Sequence, residues 1–129
     1  MTIVAIDHIQ LAMPAGRESE ARAFYSALLG LPEKPRPPEM ARRGGAWFEN
    51  EHVKIHVGVD PDFHPARKAH PALVVRDLRA LVARLKEAGA PLSSDVALEG
   101  FERVFVHDPF GNRIELLEPA GPSAPPGGR

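Results

Sequence analysis

The sequence has no cysteine among its 129 residues. That excludes disulfides and thiolate metal sites alike, so any metal site must be built from histidine, aspartate and glutamate. It has no charge surplus either: 16 Lys and Arg against 17 Asp and Glu leave a formal net charge of −1. This balance gives no electrostatic case for a nucleic acid or an anionic membrane as partner. No apolar run approaches the roughly 18 residues of a membrane span, and the N-terminus lacks the basic start and apolar core of a secretory signal. The expectation is a cytoplasmic protein. Aromatic residues are scarce, with one Trp, one Tyr and six Phe.

What remains, 43% hydrophobic and 26% charged residues, suits one globular domain and is too short for two of ordinary size. Alternation predicts a strand over residues 3–12. Ala21, Phe24, Tyr25 and Leu28 recur at helical spacing within 18–31, where Gly30 and Pro32 mark a stop. The stretch 32–45, with four of the prolines, reads as a loop. "AWFEN" and 52–59 read as strands around a polar turn at Glu49–Glu51.

The pattern then restarts. A strand is expected at 70–75, and an amphipathic helix at 77–89 with Leu78, Leu81, Val82 and Leu85 on one stripe and Gly89 as its stop. "RVFVHD" and "NRIELLE" are strands around the turn signal "DPFGN". Gly30 and Gly89 lie 59 positions apart, as do Ile55 and Ile114, whereas the two first strands are offset by 62. One register relating both helix ends and both last strands indicates duplicated units. The expected fold class is α+β: two tandem βαβββ modules forming a curved mixed sheet around a cavity, with helices on the outer face. Residues 1–119 would form one domain (module one 1–60, module two 69–119), followed by a Pro/Gly-rich tail over 120–129 that adds nothing to the core.

The duplication equates His8 with His70 and His56 with Glu115. In each strand the polar residue faces away from its apolar neighbours. If two such sheets curl together, His8, His56, His70 and Glu115 converge. Imidazole and carboxylate are the ligands that borderline divalent metals accept without thiolate, so the expected cofactor is a divalent ion: Fe, Mn, Ni, Co or Zn. Gln10 would orient substrate or water beside His8. His52, His64 and His107 fall outside this set and read as turn or surface residues.

"DHIQL", "EARAFYSALLGLP" and "DPFGNRIELLE" together resemble the vicinal oxygen chelate superfamily, which includes glyoxalase I, fosfomycin-resistance enzymes, extradiol dioxygenases and bleomycin-resistance proteins. The resemblance implies a metal-dependent lyase or isomerase-type enzyme acting on a small substrate with two neighbouring oxygens, in which the ion acts as a Lewis acid. Glu115 would be the catalytic group, able to shuttle a proton. Members with four ligands carry carboxylates on both fourth strands, where this chain has His56. In members with three ligands the set matches His8, His70 and Glu115, leaving His56 in the pocket. Phe105 stands where extradiol dioxygenases usually place a tyrosine, which disfavours ring cleavage. Gln10, Trp47, Phe63, Phe101, Phe105 and Arg113 are the candidate lining, with Lys54, Arg103 and Arg113 as the cations a phosphonate would need. The resemblance also implies a homodimer. The alternative it leaves open is a non-catalytic small-molecule binding or resistance protein of the bleomycin-resistance type.

Overall fold

The computed structural model describes residues 2–121, so most of the tail at 120–129 lies outside the described residues. The chain divides into two compact units. Unit 1 holds Met1–Pro65 with Pro109–Asn112, and unit 2 holds Ala66–Asp108 with the chain from Arg113.

In unit 1, β1 (Ile9–Met13) leads to α1 (Glu18–Ala21), which widens into a π-type helix over Arg22–Leu28. Then come β2 (Glu33–Lys34), α2 (Pro38–Ala41), β3 (Ala46–Glu49) and β4 (Lys54–Val59), and the sheet order is β1-β4-β3-β2. Unit 2 repeats the plan: β5 (Ala72–Val74), α3 (Leu78–Glu87), β6 (Leu92–Ser93), β7 (Phe101–His107) and β8 (Arg113–Pro119), ordered β5-β8-β7-β6. Each sheet has one parallel pair, β1 with β4 and β5 with β8, and antiparallel pairs elsewhere. The fold is α+β, with two four-stranded mixed sheets in βαβββ order.

The register reproduces both sequence offsets. Gln10 pairs with His56 in unit 1 and Ala72 with Glu115 in unit 2, so the first strands are offset by 62 and the last by 59. In each sheet alternate residues divide the faces. Met13, Phe48, Ile55 and Val57 pack with Phe24 and Tyr25 in unit 1, and Val106, Ile114 and Leu116 with Leu81 and Leu85 in unit 2, all of them buried. The opposite faces carry Gln10, Trp47, Glu49, Lys54 and His56 in unit 1, and Arg103, Phe105, Arg113 and Glu115 in unit 2.

Several boundaries differ from the sequence reading. The first strand begins at Ile9 rather than residue 3, because β4 offers its first partner at Ile55. Upstream, Ile3, Val4 and Ile6 are 82–83% exposed, and a strand without a ladder partner has nowhere to place its backbone hydrogen bonds. The loop expected over 32–45 contains β2, paired with β3, and α2, which starts on Pro38 as proline at a first helical turn allows. The short β6 was not anticipated, and β5 covers only 72–74 of the expected 70–75.

The start of α3 shows how one carboxylate supports an element. Asp77 sits in the left-handed region at φ 59 and accepts from the Ala80 N–H at 3.4 Å. Glu118 on β8 accepts from the N–H groups of Asp77 (2.8 Å) and Leu78 (3.0 Å). These bonds, the Leu78 N–H first, hold the Glu118 carboxyl below the ordinary carboxylate range. A carboxyl with a lowered folded-state pKa contributes stability above its unfolded value, and that stability is lost as pH falls through the folded value. Glu118→Gln is therefore expected to melt below wild type at neutral pH, with the gap closing on acidification through the carboxylate range. A gap in thermal melts that is independent of pH contradicts this.

Candidate functional site

The polar face of the β1-β4-β3-β2 sheet floors a cavity of about 550 Å³ within unit 1. Trp47 and His56 are register partners on β3 and β4, and their rings stack 4.4 Å apart at 12°. His8, just before β1, stacks on the other side of His56 at 4.3 Å and 21°. Each histidine is tied to a carboxylate. His56 Nε2–H donates to Glu49 Oε2 at 2.6 Å, and His8 Nδ1–H donates to Asp7 Oδ2 at 2.9 Å. The Asp7 carboxyl is held below its usual range, first by that hydrogen bond and then by the Lys54 ammonium, 3.6 Å away. Gln10 also lines the cavity, and its amide lies where a Cβ on Gly58 would be, 2.4 Å from Nε2. Glycine at 58 thus leaves the Gln10 side chain its place.

Opposite Trp47, the wall comes from the α2 segment: Arg36, Met40, Arg43 and Gly44. Arg36 binds this segment together by donating to the carbonyls of Gly44 (2.6 Å), Gly45 (2.8 Å) and Met40 (3.4 Å). Glu18 accepts from the Gly45 N–H at 2.9 Å. The loop expected from its prolines is therefore a fixed part of the site.

In unit 2, His70 Nε2 lies 3.2 Å from Glu115 Oε1, and Arg103 Nη1 donates to Glu115 Oε2 at 3.2 Å. Arg103 also donates to the Val96 carbonyl at 2.6 Å, while its buried Nε has no hydrogen-bond partner. Phe105, the register partner of Glu115, is almost fully buried on this polar face. The Arg113 guanidinium covers its ring at 3.9 Å, and His70 meets it edge-on at 5.4 Å.

The donor chemistry tests how these residues fit a divalent ion. A carbonyl can only accept, so the contact of His70 Nδ1 with the Lys68 carbonyl at 2.8 Å puts the proton on Nδ1. Nε2 is then the ring atom that meets Glu115 Oε1, where a proton, or a divalent ion in its place, lies between nitrogen and carboxylate. His8 has the same arrangement, with Nδ1–H on Asp7 and Nε2 left as donor. An outer partner that fixes the tautomer is the usual support of a ligating histidine, so His8 in unit 1 and the His70–Glu115 pair in unit 2 each offer donors of the kind a divalent ion accepts. His56 fits less well. Its Nε2 is engaged by Glu49, and its ring lies nearly parallel to that of His8 at 4.3 Å, so the in-plane lone pairs of the two rings lie in separate planes. Among the described residues, no three histidine, aspartate or glutamate side chains are gathered into a group that could hold a metal ion.

The other sequence candidates fall variously. Gln10 and Trp47 line the unit 1 cavity, whereas Phe63, half-buried after β4, is outside its lining. Phe105 and Arg113 surround Glu115, and Phe101 is exposed at the start of β7. The reading missed Glu49, which it had taken for a turn residue, and also Asp7, Arg36 and Arg43. Only Glu49 gave a signal, because it alternates with Trp47 and so shares its face.

A chain of two βαβββ modules that turns polar side chains out from each sheet has the architecture of the vicinal oxygen chelate superfamily. Residues 10–117 match the family model of the glyoxalase-like domain, and the chain belongs to that family. Among solved structures it is similar to a glyoxalase family protein from Bacillus anthracis, at 44% identity with 92% of this chain and 97% of the other covered and a TM-score of 0.85. It shares its fold with the fosfomycin resistance protein FosX of Listeria monocytogenes (15% identity, 92% and 94% covered, TM-score 0.69). It does so as well with TnmS3, an antibiotic binding protein from Streptomyces sp. CB03234 (22% identity, 92% and 100% covered, TM-score 0.65). No curated protein matches the chain. No helix among the described residues is long and apolar enough to cross a membrane.

Proposed function

We propose that the protein is a metal-dependent enzyme of lyase or isomerase type, acting on a small substrate with two neighbouring oxygens. The observation that carries this reading is His70, whose Nδ1–H is fixed on the Lys68 carbonyl while Nε2 stands 3.2 Å from Glu115 Oε1. His8, His70 and Glu115 are the proposed ligands, and modules 1–60 and 69–119 act as halves of one functional domain. A divalent ion held there supplies Lewis-acid polarisation of the substrate oxygens. Glu115 is the proposed catalytic group, taking up and returning a proton at Oε2, where the single N–H donated by Arg103 Nη1 keeps the carboxylate oriented. Arg113 and Phe105 border that carboxylate, Gln10 and Trp47 contribute to substrate binding from unit 1, and Phe63 is kept as a candidate on the resemblance alone. His56 is a pocket residue. Cytoplasmic location and a homodimer complete the reading, the latter giving a solution mass near twice the 14.0 kDa chain.

The test is elemental analysis of untagged protein purified without chelator. About one Fe, Mn, Ni, Co or Zn per chain is expected in wild type, and its loss in His70→Ala and Glu115→Ala. Wild type that stays metal-free after exposure to each ion overturns the reading. A second reading, metal-free binding of a small molecule, is favoured by the ring stack and the cavity of about 550 Å³, a size ordinary for organic ligands. It also accords with the antibiotic-binding function of the fold relative. Ligand-dependent thermal shifts that persist in Glu115→Ala would support it.

A further inference from the structure

We infer that the unit 1 cavity selects small aromatic ligands bearing an oxyanion, a carboxylate or a phosphonate, with Arg43 as the specificity-determining cation. The argument begins with the floor. The Trp47–His56 separation of 4.4 Å is close to the spacing of neighbouring strands, so the stack runs across the sheet with its ring planes standing upright on it. A ligand resting there meets ring edges. Edges carry the positive part of the aromatic quadrupole, while the faces carry the negative part. A floor of ring edges accordingly favours the π-face of a ligand ring and the lone pairs of an oxyanion.

The charges around the floor then decide the sign. Both carboxylates are occupied internally, Glu49 by His56 and Asp7 by His8 and Lys54. Lys54 is partly compensated by Asp7, and Arg36 spends its donors on the carbonyls of its own segment. Arg43 lines the cavity and has no such partner among the described residues. Its backbone is nonetheless fixed, because the segment from 36 to 45 is clamped by Arg36 and tied to Glu18. A guanidinium that lines the cavity from a backbone fixed in this way is suited to a carboxylate or a phosphonate.

Trp47 is the only tryptophan in the chain, so its fluorescence reports on this cavity directly. The experiment titrates metal-free protein in EDTA with benzoate, phenylphosphonate, benzamide and benzylamine. Because no ion is present, a failure here leaves the metal reading standing, and the reverse holds too. Saturable quenching by at least one anion is expected at about fivefold lower concentration than by benzamide, as for a partly exposed charged contact. In Arg43→Gln that preference should fall to within about twofold, while Arg42→Gln, outside the cavity lining, should retain it. A stronger response to benzoate identifies a carboxylate site, and a stronger response to phenylphosphonate a phosphonate or phosphate site. The inference is overturned if benzamide or benzylamine binds as tightly as the anions. It is also overturned if Arg43→Gln keeps the preference, or if no anion gives a saturable signal.

Discussion

Phe48→Ala is expected to lower the unfolding free energy by about 3–5 kcal/mol, the range for truncating a fully buried phenylalanine. Phe48 has no exposed surface and stacks 5.5 Å from Tyr25, itself fully buried. It pairs with both Ile55 on β4 and Glu33 on β2, so alanine leaves a hole in the unit 1 sheet where three strands meet the helix. Because Trp47 and Phe48 are consecutive on β3, loosening the buried face also loosens the ring stack on the other. Chemical denaturation monitored by Trp47 fluorescence measures the loss. A change below about 1 kcal/mol would mean that the site collapses without a cavity, contrary to this packing.

Gly45→Ala is expected to cost about 3 kcal/mol, from two sources that add. Gly45 has φ +85, where a residue with a Cβ pays about 1–2 kcal/mol. A Cβ there would also stand 2.1 Å from the Val57 carbonyl oxygen and 3.2 Å from the Gly58 Cα. Those are backbone atoms of β4, so the strand must shift, at the roughly 1–3 kcal/mol of an overpacked core. The result is a Tm drop on the order of 10 °C. Gly44→Ala is the useful contrast, since its Cβ would meet mainly side-chain atoms of Glu18 and Val59, both at 2.9 Å. Moving them costs the Glu18 bond to the Gly45 N–H but leaves the β4 backbone in place, so Gly44→Ala should melt above Gly45→Ala. The reverse order would contradict the close approach of Gly45 to β4.

The duplication was legible because it is written twice. Glycine helix stops and the last strands repeat at a spacing of 59 and the first strands at 62, and the strand pairs keep both offsets, as Gln10 with His56 and Ala72 with Glu115 show. The facing of His56 and Glu115 followed from alternation alone. Where a strand ends was not legible, since Ile3, Val4 and Ile6 alternate like strand residues but have no neighbour to pair with. The two-residue strands β2 and β6 were invisible for a related reason: a pair of residues carries no periodicity, and only the partner strand defines it.

In the site, local pattern identified the residue types while tertiary contacts assigned their partners. The carboxylates that orient the histidines include one sequence neighbour, Asp7, and one across a strand pair, Glu49. The proline-rich stretch 32–45 suggested a plain loop, yet Arg36 and Glu18 build it into the wall of the cavity. No pattern in the sequence announces a guanidinium that binds three carbonyls of its own segment.

The central claim, that His70 and Glu115 hold a divalent ion, is tested most directly by X-ray absorption of untagged protein loaded with zinc. A shell of nitrogen and oxygen only, with imidazole scattering that falls in His70→Ala and an oxygen ligand lost in Glu115→Ala, is the result expected. A metal shell unchanged in both variants, or no retained zinc in wild type, would contradict it.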